Sequence, residues 1–356
     1  MRIRLAILDS DKNYLNRLSA AFTNKYADKI QFYSFTDEKM ALDSVNTGKI
    51  DVFLVNANFL IDVEALSPNC GFAYIVENAD IESIRNQLAI GKYQRVDLFY
   101  KQILSLFAEK AKIVTGYKMS DASQTKIVSF LSFGGGDGSS TVAAAFSVYA
   151  TKQGKKVLYL NIEQFGSTED FFSGEGQFDF SDVIYTIKSK KSNVALKLES
   201  CVKQDSSGVH FYSSPKVALD LMELEPAELA SLLDELCLSG NYDYIVVDLD
   251  FCFSKKILSA LAMSSKVVFV DDGTEISNTK FERGYHALKL YEQQNDISVL
   301  AKSYLFYNKF SNKISKTIQG LEIPELGGVP KFENATTKQI VEQLVSLADF
   351  NKLLED

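Results

Sequence analysis

Residues 132–141 read SFGGGDGSST, and no other segment indicates the fold of the second part of the chain as strongly. The apolar run KIVSFL at 126–131 precedes it and predicts a buried strand, and TVAAAFSV at 141–148 predicts a helix packed by small residues. A glycine-rich turn from a strand into a helix presents backbone N–H groups to a phosphate, and the dipole of the helix favours the anion. The stretch therefore predicts a phosphate-binding loop.

The loop differs from the usual phosphate loop in its charge. The usual sequence ends in Gly-Lys-Ser/Thr, where the lysine contacts the terminal phosphates and the hydroxyl group binds Mg²⁺. Here Gly138, Ser140 and Thr141 are in place, but Ser139 occupies the position of the lysine. We expect a phosphate cradle without that positive charge. The alternative is a tight turn that binds no nucleotide.

Length and composition are those of an ordinary globular protein. The chain has 356 residues, 46% of them hydrophobic and 24% charged, which is enough for two domains. A net charge of −8 disfavours nucleic acid as a partner. The N-terminal residues lack a signal-peptide pattern, and no apolar run reaches the roughly 20 residues that cross a bilayer. The four cysteines lack metal or disulfide spacing, which favours reduced thiols. Together these features lead us to expect a cytoplasmic protein without an integral membrane segment.

Strand-like and helix-like segments alternate along the whole chain, which predicts an α/β fold with parallel sheets covered on both faces. We place a doubly wound domain at 1–110, a linker at 111–125 and a second doubly wound domain at 126–356. The strand-like runs of the first domain are Ile3–Leu8, Ile50–Val55, Phe72–Val76 and Val96–Tyr100. In the second domain we predict strands at 126–132, 156–162, 208–213, 243–249, 266–271 and 302–308, and helices at 140–152, 223–238, 279–293 and 336–354.

The first domain carries polar residues at its predicted strand ends. Asp9-Ser10-Asp11 follows the first strand, Asn56 the next apolar run, Glu77 the one after it, and Lys101 the last. Over about residues 1–108 this order resembles response-regulator receiver domains, with Asn56 at the phosphorylated aspartate, Glu77 at the hydroxyl and Lys101 at the lysine. An amide cannot attack a phosphoryl donor. The resemblance implies a pseudo-receiver that binds a partner or helps dimerisation; an unrelated flavodoxin-like domain is the alternative.

The phosphate loop resembles the variant loop of MinD/ParA-type ATPases, Lys-Gly-Gly-x-Gly-Lys-Thr-Thr. In that family the first lysine reaches across a dimer interface to the nucleotide of the partner subunit, and Gly134 replaces it here. Ser139 replaces the second lysine, and Ser140 takes the Mg²⁺-binding hydroxyl position. The resemblance implies nucleotide contacts from Gly135, Gly136, Asp137, Gly138, Ser139, Ser140 and Thr141.

Two further strand ends resemble the acidic motifs of this family. Asn161 and Glu163 stand where the family has Asp-x-Asp, so Glu163 is the candidate catalytic base and Asn161 cannot be one. Asp248 follows the apolar run YIVV at 244–247 and is the second predicted Mg²⁺ ligand, with Asp250 a weaker candidate. Polar side chains that merely end their strands are the alternative in both cases.

Two late motifs complete the resemblance, which runs in the correct order from about residue 126 to 335. Asn308 matches the asparagine that hydrogen-bonds adenine, and Pro330 matches the proline that flanks the base. A degenerate receiver before a MinD-like domain that lacks loop lysines resembles the Tad-pilus localisation proteins of the TadZ/CpaE type. That resemblance implies ATP and Mg²⁺ as cofactors, a homodimer, pilus-assembly partners and a position at a cell pole.

The leading hypothesis is an ATP-binding scaffold that localises Tad-type pilus assembly. Loss of the loop lysines removes charge stabilisation of the leaving phosphate, so we expect slow or absent hydrolysis. The alternatives are a protein-interaction scaffold that binds no nucleotide and an active ParA-like partitioning ATPase. A basic cluster, Lys188 to Lys191 with Lys197 and Lys203, is interpreted as a solvated helix end rather than a binding patch.

Overall fold

A computed structural model describes residues 2–110, 125–189, 193–295 and 297–355. These residues form two compact units. The first contains residues 2–110 together with 189 and 193–201, and the second contains 125–188 and the residues from 202 onward. All of the predicted linker except Thr125 lies outside the described residues.

The first unit is built on a six-stranded sheet with the order β2-β1-β3-β4-β6-β5, parallel except for the antiparallel pair β5–β6. Its apolar strands are buried on both faces, as expected of a parallel sheet under helices. The elements in order are β1 Ile3–Leu8, α1 Lys12–Tyr26, β2 Ile30–Phe35, α2 Glu38–Asn46, β3 Val52–Asn56, β4 Gly71–Val76, β5 Ser83–Ile84, β6 Gln87–Gly91 and α3 Val96–Lys110.

One predicted strand of this unit is wrong. Val96–Tyr100 is the first part of helix α3, and the last parallel strand is β6, Gln87–Gly91. The error has a physical cause: α3 buries nine of its fifteen residues, so its sequence is apolar without the polar stripe that marks a surface helix. The lysine that follows the last parallel strand is therefore Lys92, and Lys101 lies inside α3.

The second unit is built on an eight-stranded sheet with the order β14-β13-β12-β7-β11-β8-β10-β9, parallel except for β9. Strand β7 lies inside the sheet and leads into the glycine loop. The elements from residue 126 onward are β7 Lys126–Leu131, α4 Ser139–Lys152, β8 Val157–Asn161, α5 Phe180–Lys188, α6 Val194–Cys201 (part of the first unit), β9 Lys203–Gln204, β10 His210–Phe211, α7 Leu219–Met222, α8 Pro226–Leu238, β11 Tyr244–Asp248, α9 Lys255–Met263, β12 Lys266–Asp271, α10 Glu275–Asn295, β13 Ser303–Phe310, β14 Glu325–Pro330, α11 Thr337–Leu344 and α12 Asn351–Leu354.

Helix α4 is the centre of the core of this unit. Its alanines at 143–145 are fully buried, which lets the helix lie close to the sheet. The ring of Phe146 packs on Phe130 from β7 and on Phe350 near the C-terminus. The predicted helix 336–354 is broken into α11, a 3₁₀ turn and α12, but it packs on its own unit as expected, because Phe350 and Leu353 are fully buried. None of the described helices is long and apolar enough to cross a membrane.

The basic cluster is not one solvated helix end. Lys190 and Lys191 lie outside the described residues. The ammonium group of Lys197 is buried in the first unit, where it donates to Ser105 Oγ at 2.5 Å and pairs with Glu109 at 3.2 Å. Helix α6 thus comes from the sequence of the second domain but packs on α3.

Candidate nucleotide site

The glycine loop is the wall of a cavity of about 520 Å³ at the carboxyl end of β7. Gly135, Gly136 and Gly138 have φ values of +70°, +80° and +89°, a backbone that favours glycine. Gly138 is also the N-cap of α4, so the loop turns directly into the helix N-terminus. The cavity is lined by Ser132 to Gly136, Gly138 to Thr141, Glu163, Asp170, Phe171, Leu249, Asp250, Phe251 and Thr337. This geometry presents backbone N–H groups and a helix dipole to one space.

Asp137 is the exception within the predicted loop contacts, because its carboxyl group faces away from the cavity. Asp137 is 6% exposed, and its Oδ2 has no hydrogen-bond partner among the described residues. One hydroxyl group, Ser277 Oγ, lies 3.3 Å from Asp137 Oδ1 and 2.9 Å from Asp271 Oδ2. Burial, together with the charges of Asp271 and Asp272, raises the pKa of Asp137 to about 6.

The predicted Mg²⁺ ligands, Ser140 and Asp248, and the candidate catalytic base, Glu163, lie together beside the loop. Ser140 Oγ donates to Glu163 Oε1 at 3.0 Å. Asp248 is fully buried at the end of β11, where Tyr159 OH donates to its Oδ2 at 2.6 Å and Asn161 Nδ2 donates to the same oxygen at 3.3 Å. Asp248 Oδ1 finds no hydrogen-bond donor in the described part of the chain.

Burial, together with the charge of a neighbouring carboxylate, raises the pKa of both Asp248 and Glu163. Burial raises the pKa of Asp248 well above its usual range, and the Glu163 carboxylate adds to the effect. Burial likewise raises the pKa of Glu163, and the neighbouring Asp250 raises it further. Buried carboxylates disfavour each other's charged form, and carboxylate and hydroxyl oxygens are the ligands that Mg²⁺ prefers.

The two residues predicted to contact the adenine base, Asn308 and Pro330, do not line this cavity. Asn308 is buried at the end of β13, and its Nδ2 donates to the backbone oxygen of Asp137 at 2.7 Å. Pro330 ends β14, on the outer side of β13, and its ring is exposed. Neither residue is among those that line the cavity. Asn308 therefore holds the loop from outside, with its amide next to Gly138.

Two lysines that contact the loop were missed by the sequence reasoning. Lys280 Nζ, from α10, donates to the backbone oxygen of Gly134 at 3.2 Å. Lys309 Nζ, from β13, donates to the backbone oxygen of Gly136 at 2.7 Å. Both residues are more than 140 positions from the loop in sequence, so only the pairing of the sheet and the placement of α10 bring them there.

The receiver-like unit has a closed polar site at the end of β1. Asp9 is fully buried, and its Oδ2 accepts from Lys92 Nζ at 2.8 Å and from Asn56 Nδ2 at 2.9 Å. Burial opposes ionisation of Asp9, but these hydrogen bonds outweigh it and hold its pKa below the ordinary value. Lys92 also lies over the ring of Tyr14. The lysine of this site is therefore Lys92, and the expectation for Lys101 is wrong.

The chain thus combines a receiver-like unit with a second unit that has the fold of a ParA family ATPase. Residues 1–108 match the family model described as the TadZ-like receiver domain. No curated protein matched the chain in sequence.

Solved structures of the ParA and MinD type resemble the chain. A ParA family ATPase from Chlorobium tepidum TLS aligns with a TM-score of 0.52 and 19% identity over 65% of this chain and 98% of its own. The septum site-determining protein MinD from Pyrococcus horikoshii OT3, complexed with Mg-ADP, aligns with a TM-score of 0.47 and 18% identity over 62% and 94%. At these identities the likeness concerns the fold.

Proposed function

We propose that the chain binds ATP with Mg²⁺ at the glycine loop and serves as a scaffold that localises Tad-type pilus assembly, with slow or absent hydrolysis. The observation that carries this proposal is the cavity formed by the glycine loop and the acidic group around Ser140. A ParA-type fold and a TadZ-like receiver in one chain support it. Polar phosphates and a divalent cation complement this cavity in charge and in hydrogen bonding.

The residues present are suited to Mg²⁺. Asp248 Oδ1 is buried without a donor among the described residues, and Ser140 Oγ is close to a carboxylate. A cation would offset the negative charge of Glu163 that helps to raise the pKa of Asp248, and the charge of Asp250 that helps to raise the pKa of Glu163. We assign Ser140 and Asp248 to the metal and Gly135, Gly136, Gly138, Ser139 and Thr141 to the phosphates. When bound, Mg²⁺ would neutralise phosphate charge.

Turnover should be weak for reasons that lie in the loop. No lysine or arginine occurs in residues 134–141. A charge-assisted hydrogen bond contributes about 1.5–3 kcal/mol, so a missing lysine lowers ATP affinity by about one to two decades and lowers hydrolysis further. Glu163 has the pKa direction of a general base, and we retain it as the catalytic candidate. The neighbouring Asn161 is an amide at the position where the Asp-x-Asp motif of MinD/ParA-type ATPases has its first aspartate.

The receiver-like unit supports a scaffold rather than a phosphorelay. Its acceptor position holds Asn56, and Lys92 is already paired with Asp9. We propose that this unit binds a pilus-assembly protein or a second copy of the chain, that the protein is a cytoplasmic homodimer, and that it collects at a cell pole through its partners. A fluorescent fusion in cells with Tad genes should co-localise with the assembly proteins; a uniform distribution would contradict the role.

Nucleotide binding is tested by thermal unfolding with and without ATP and Mg²⁺. Ligand at about 100 times its Kd stabilises a protein by about 2.7 kcal/mol, which gives a clear rise in Tm. We expect this rise in the unaltered chain and a much smaller one in Ser140→Ala. The matched control is Ser346→Ala, an exposed serine near the C-terminus, which should behave like the unaltered chain. No rise in any of the three would favour an interaction scaffold that binds no nucleotide.

A further inference from the structure

Two neighbouring residues of β13 hold the glycine loop by its carbonyl oxygens. Asn308 Nδ2 donates to the backbone oxygen of Asp137 at 2.7 Å, and Lys309 Nζ donates to that of Gly136 at 2.7 Å. Lys309 has a φ of +59°, a left-handed backbone that is uncommon for a residue with a side chain. The amide of Asn308 leaves no room for a Cβ atom on Gly138. The loop is therefore fixed from the side of β13.

The direction of each held carbonyl group determines the direction of the N–H group that follows it. In a trans peptide the C=O of one residue and the N–H of the next point in opposite directions, and the peptide bonds of the loop are trans. The N–H groups of Asp137 and Gly138 thus point away from Lys309 and Asn308. Neither N–H group has a hydrogen-bond partner in the described part of the chain. Because Gly136 and Gly138 line the cavity, these donors are available to an anion there.

Asn308 itself is withdrawn from the cavity. Its side chain is buried, with 2% of the residue exposed, and its amide nitrogen is bonded to the loop. It is not among the residues that line the cavity, whereas the loop that it holds forms a wall of it. A nucleotide in this cavity would meet the phosphate cradle that Asn308 supports rather than the Asn308 amide.

We propose that Asn308 is a positioning residue of the phosphate cradle and not an adenine contact. By holding the Asp137 carbonyl group, it aims the Gly138 N–H group at a phosphate oxygen, and Lys309 aims the Asp137 N–H group in the same way. The affinity that these residues contribute is then independent of the base. The assignment rests on the proposed function, since it presumes that the loop binds phosphates, and it replaces the role that the resemblance to MinD/ParA-type ATPases implies for Asn308.

The test is calorimetric titration of the full chain with Mg-ATP, Mg-GTP and Mg-tripolyphosphate, which has no base. Asn308→Leu removes the donor and keeps a side chain of similar size. We expect affinity to fall about tenfold, the scale of one charge-assisted hydrogen bond, and by the same factor within about twofold for all three ligands. Lys309→Met, at an exposed position, should show the same pattern. The control is Ser265→Ala, which removes a hydrogen bond to the Ile127 carbonyl group near the start of β7 and should change no affinity.

The outcomes separate a cradle-positioning role from a base contact and from a purely structural role. A loss confined to the nucleotides, with tripolyphosphate unaffected in Asn308→Leu, would show a base contact and overturn the inference. Unchanged affinities together with a lower Tm would show a structural role and would also overturn it. So would an unaltered chain that binds ATP but not tripolyphosphate, because binding would then depend on the base.

Failure of the proposed function gives a different result. An unaltered chain that binds none of the three ligands refutes the nucleotide site, and the inference about Asn308 with it. Circular dichroism melting verifies that each variant retains the fold. If Asn308→Leu does not fold, the same comparison of ligands in Lys309→Met decides whether the cradle is held from β13 as proposed.

Discussion

Replacing Asp137 by asparagine should stabilise the protein, because the carboxyl group of Asp137 is ionised at a buried place that disfavours charge. The group is 6% exposed, one of its oxygens has no hydrogen-bond partner among the described residues, and Asp271 and Asp272 repel it. The positive charge of Lys309 lowers the pKa of Asp137, but less than burial and the two carboxylates raise it. Asparagine keeps the shape of the side chain and can still accept the hydrogen bond of Ser277 through Oδ1.

The size of the effect follows from the pKa of about 6 in the folded chain against an ordinary value of 3.8. A raised carboxyl pKa gives stability that is fully present below pH 3.8 and is lost as the pH rises through about 6. Ionised Asp137 therefore costs the folded state about 3 kcal/mol at pH 8 and about 1.6 kcal/mol at pH 5. Asp137→Asn should gain these amounts, as upper values because the loop can relax.

The assay is urea unfolding of both proteins between pH 5 and pH 8, followed by far-ultraviolet circular dichroism because the chain has no tryptophan. The stability difference should widen as the pH rises. Ser277→Ala is the opposing variant: it removes a donor from Asp137, raises that pKa further and should steepen the loss of stability with pH. A destabilised Asp137→Asn at pH 8, or a difference that does not change with pH, would refute the reasoning.

Two further substitutions, one in each unit, test the buried contacts of the fold. Lys92→Met leaves Asp9 buried without a cation and should destabilise the first unit by about 3–5 kcal/mol, whereas Lys25→Met, in an exposed ion pair, should cost less than about 1 kcal/mol. Equal effects in urea unfolding would contradict the buried pair. Gly284→Ala places a Cβ atom 2.2 Å from the ring of Phe133 and should cost about 1–3 kcal/mol by overpacking, although alanine normally stabilises a helix. A stabilised variant would count against this contact.

Much of the second domain could be predicted from sequence because its signals are local. The glycine loop follows a largely apolar strand, and each acidic motif comes at the end of a further apolar strand. The sequence therefore shows the end of each strand and its polar residues together. The observed strands β7, β8, β11 and β12 lie within the predicted ranges. Ser140, Glu163 and Asp248 meet because parallel strands end at the same edge of a sheet.

The rest depended on tertiary contacts that no local pattern carries. Helix α3 is buried on most sides, so its first part, Val96–Tyr100, has the composition of a strand. For that reason the sequence points to Lys101 as the lysine of the receiver-like site, whereas the structure has Lys92 there. Helix α6 packs on α3 from a distant part of the sequence. The contact of Lys280 with the loop depends on how α10 packs over Phe133.

The central claim is that the lysine-free loop binds nucleotide, and calorimetric titration of the purified chain with Mg-ATP tests it most directly. We predict micromolar binding of one nucleotide per chain, weakened at least tenfold by Ser140→Ala, on the scale of one lost metal ligand. The absence of binding heat, together with the absence of any rise in Tm at millimolar Mg-ATP, would contradict the claim. The loop would then have the shape of a phosphate cradle without the ligand.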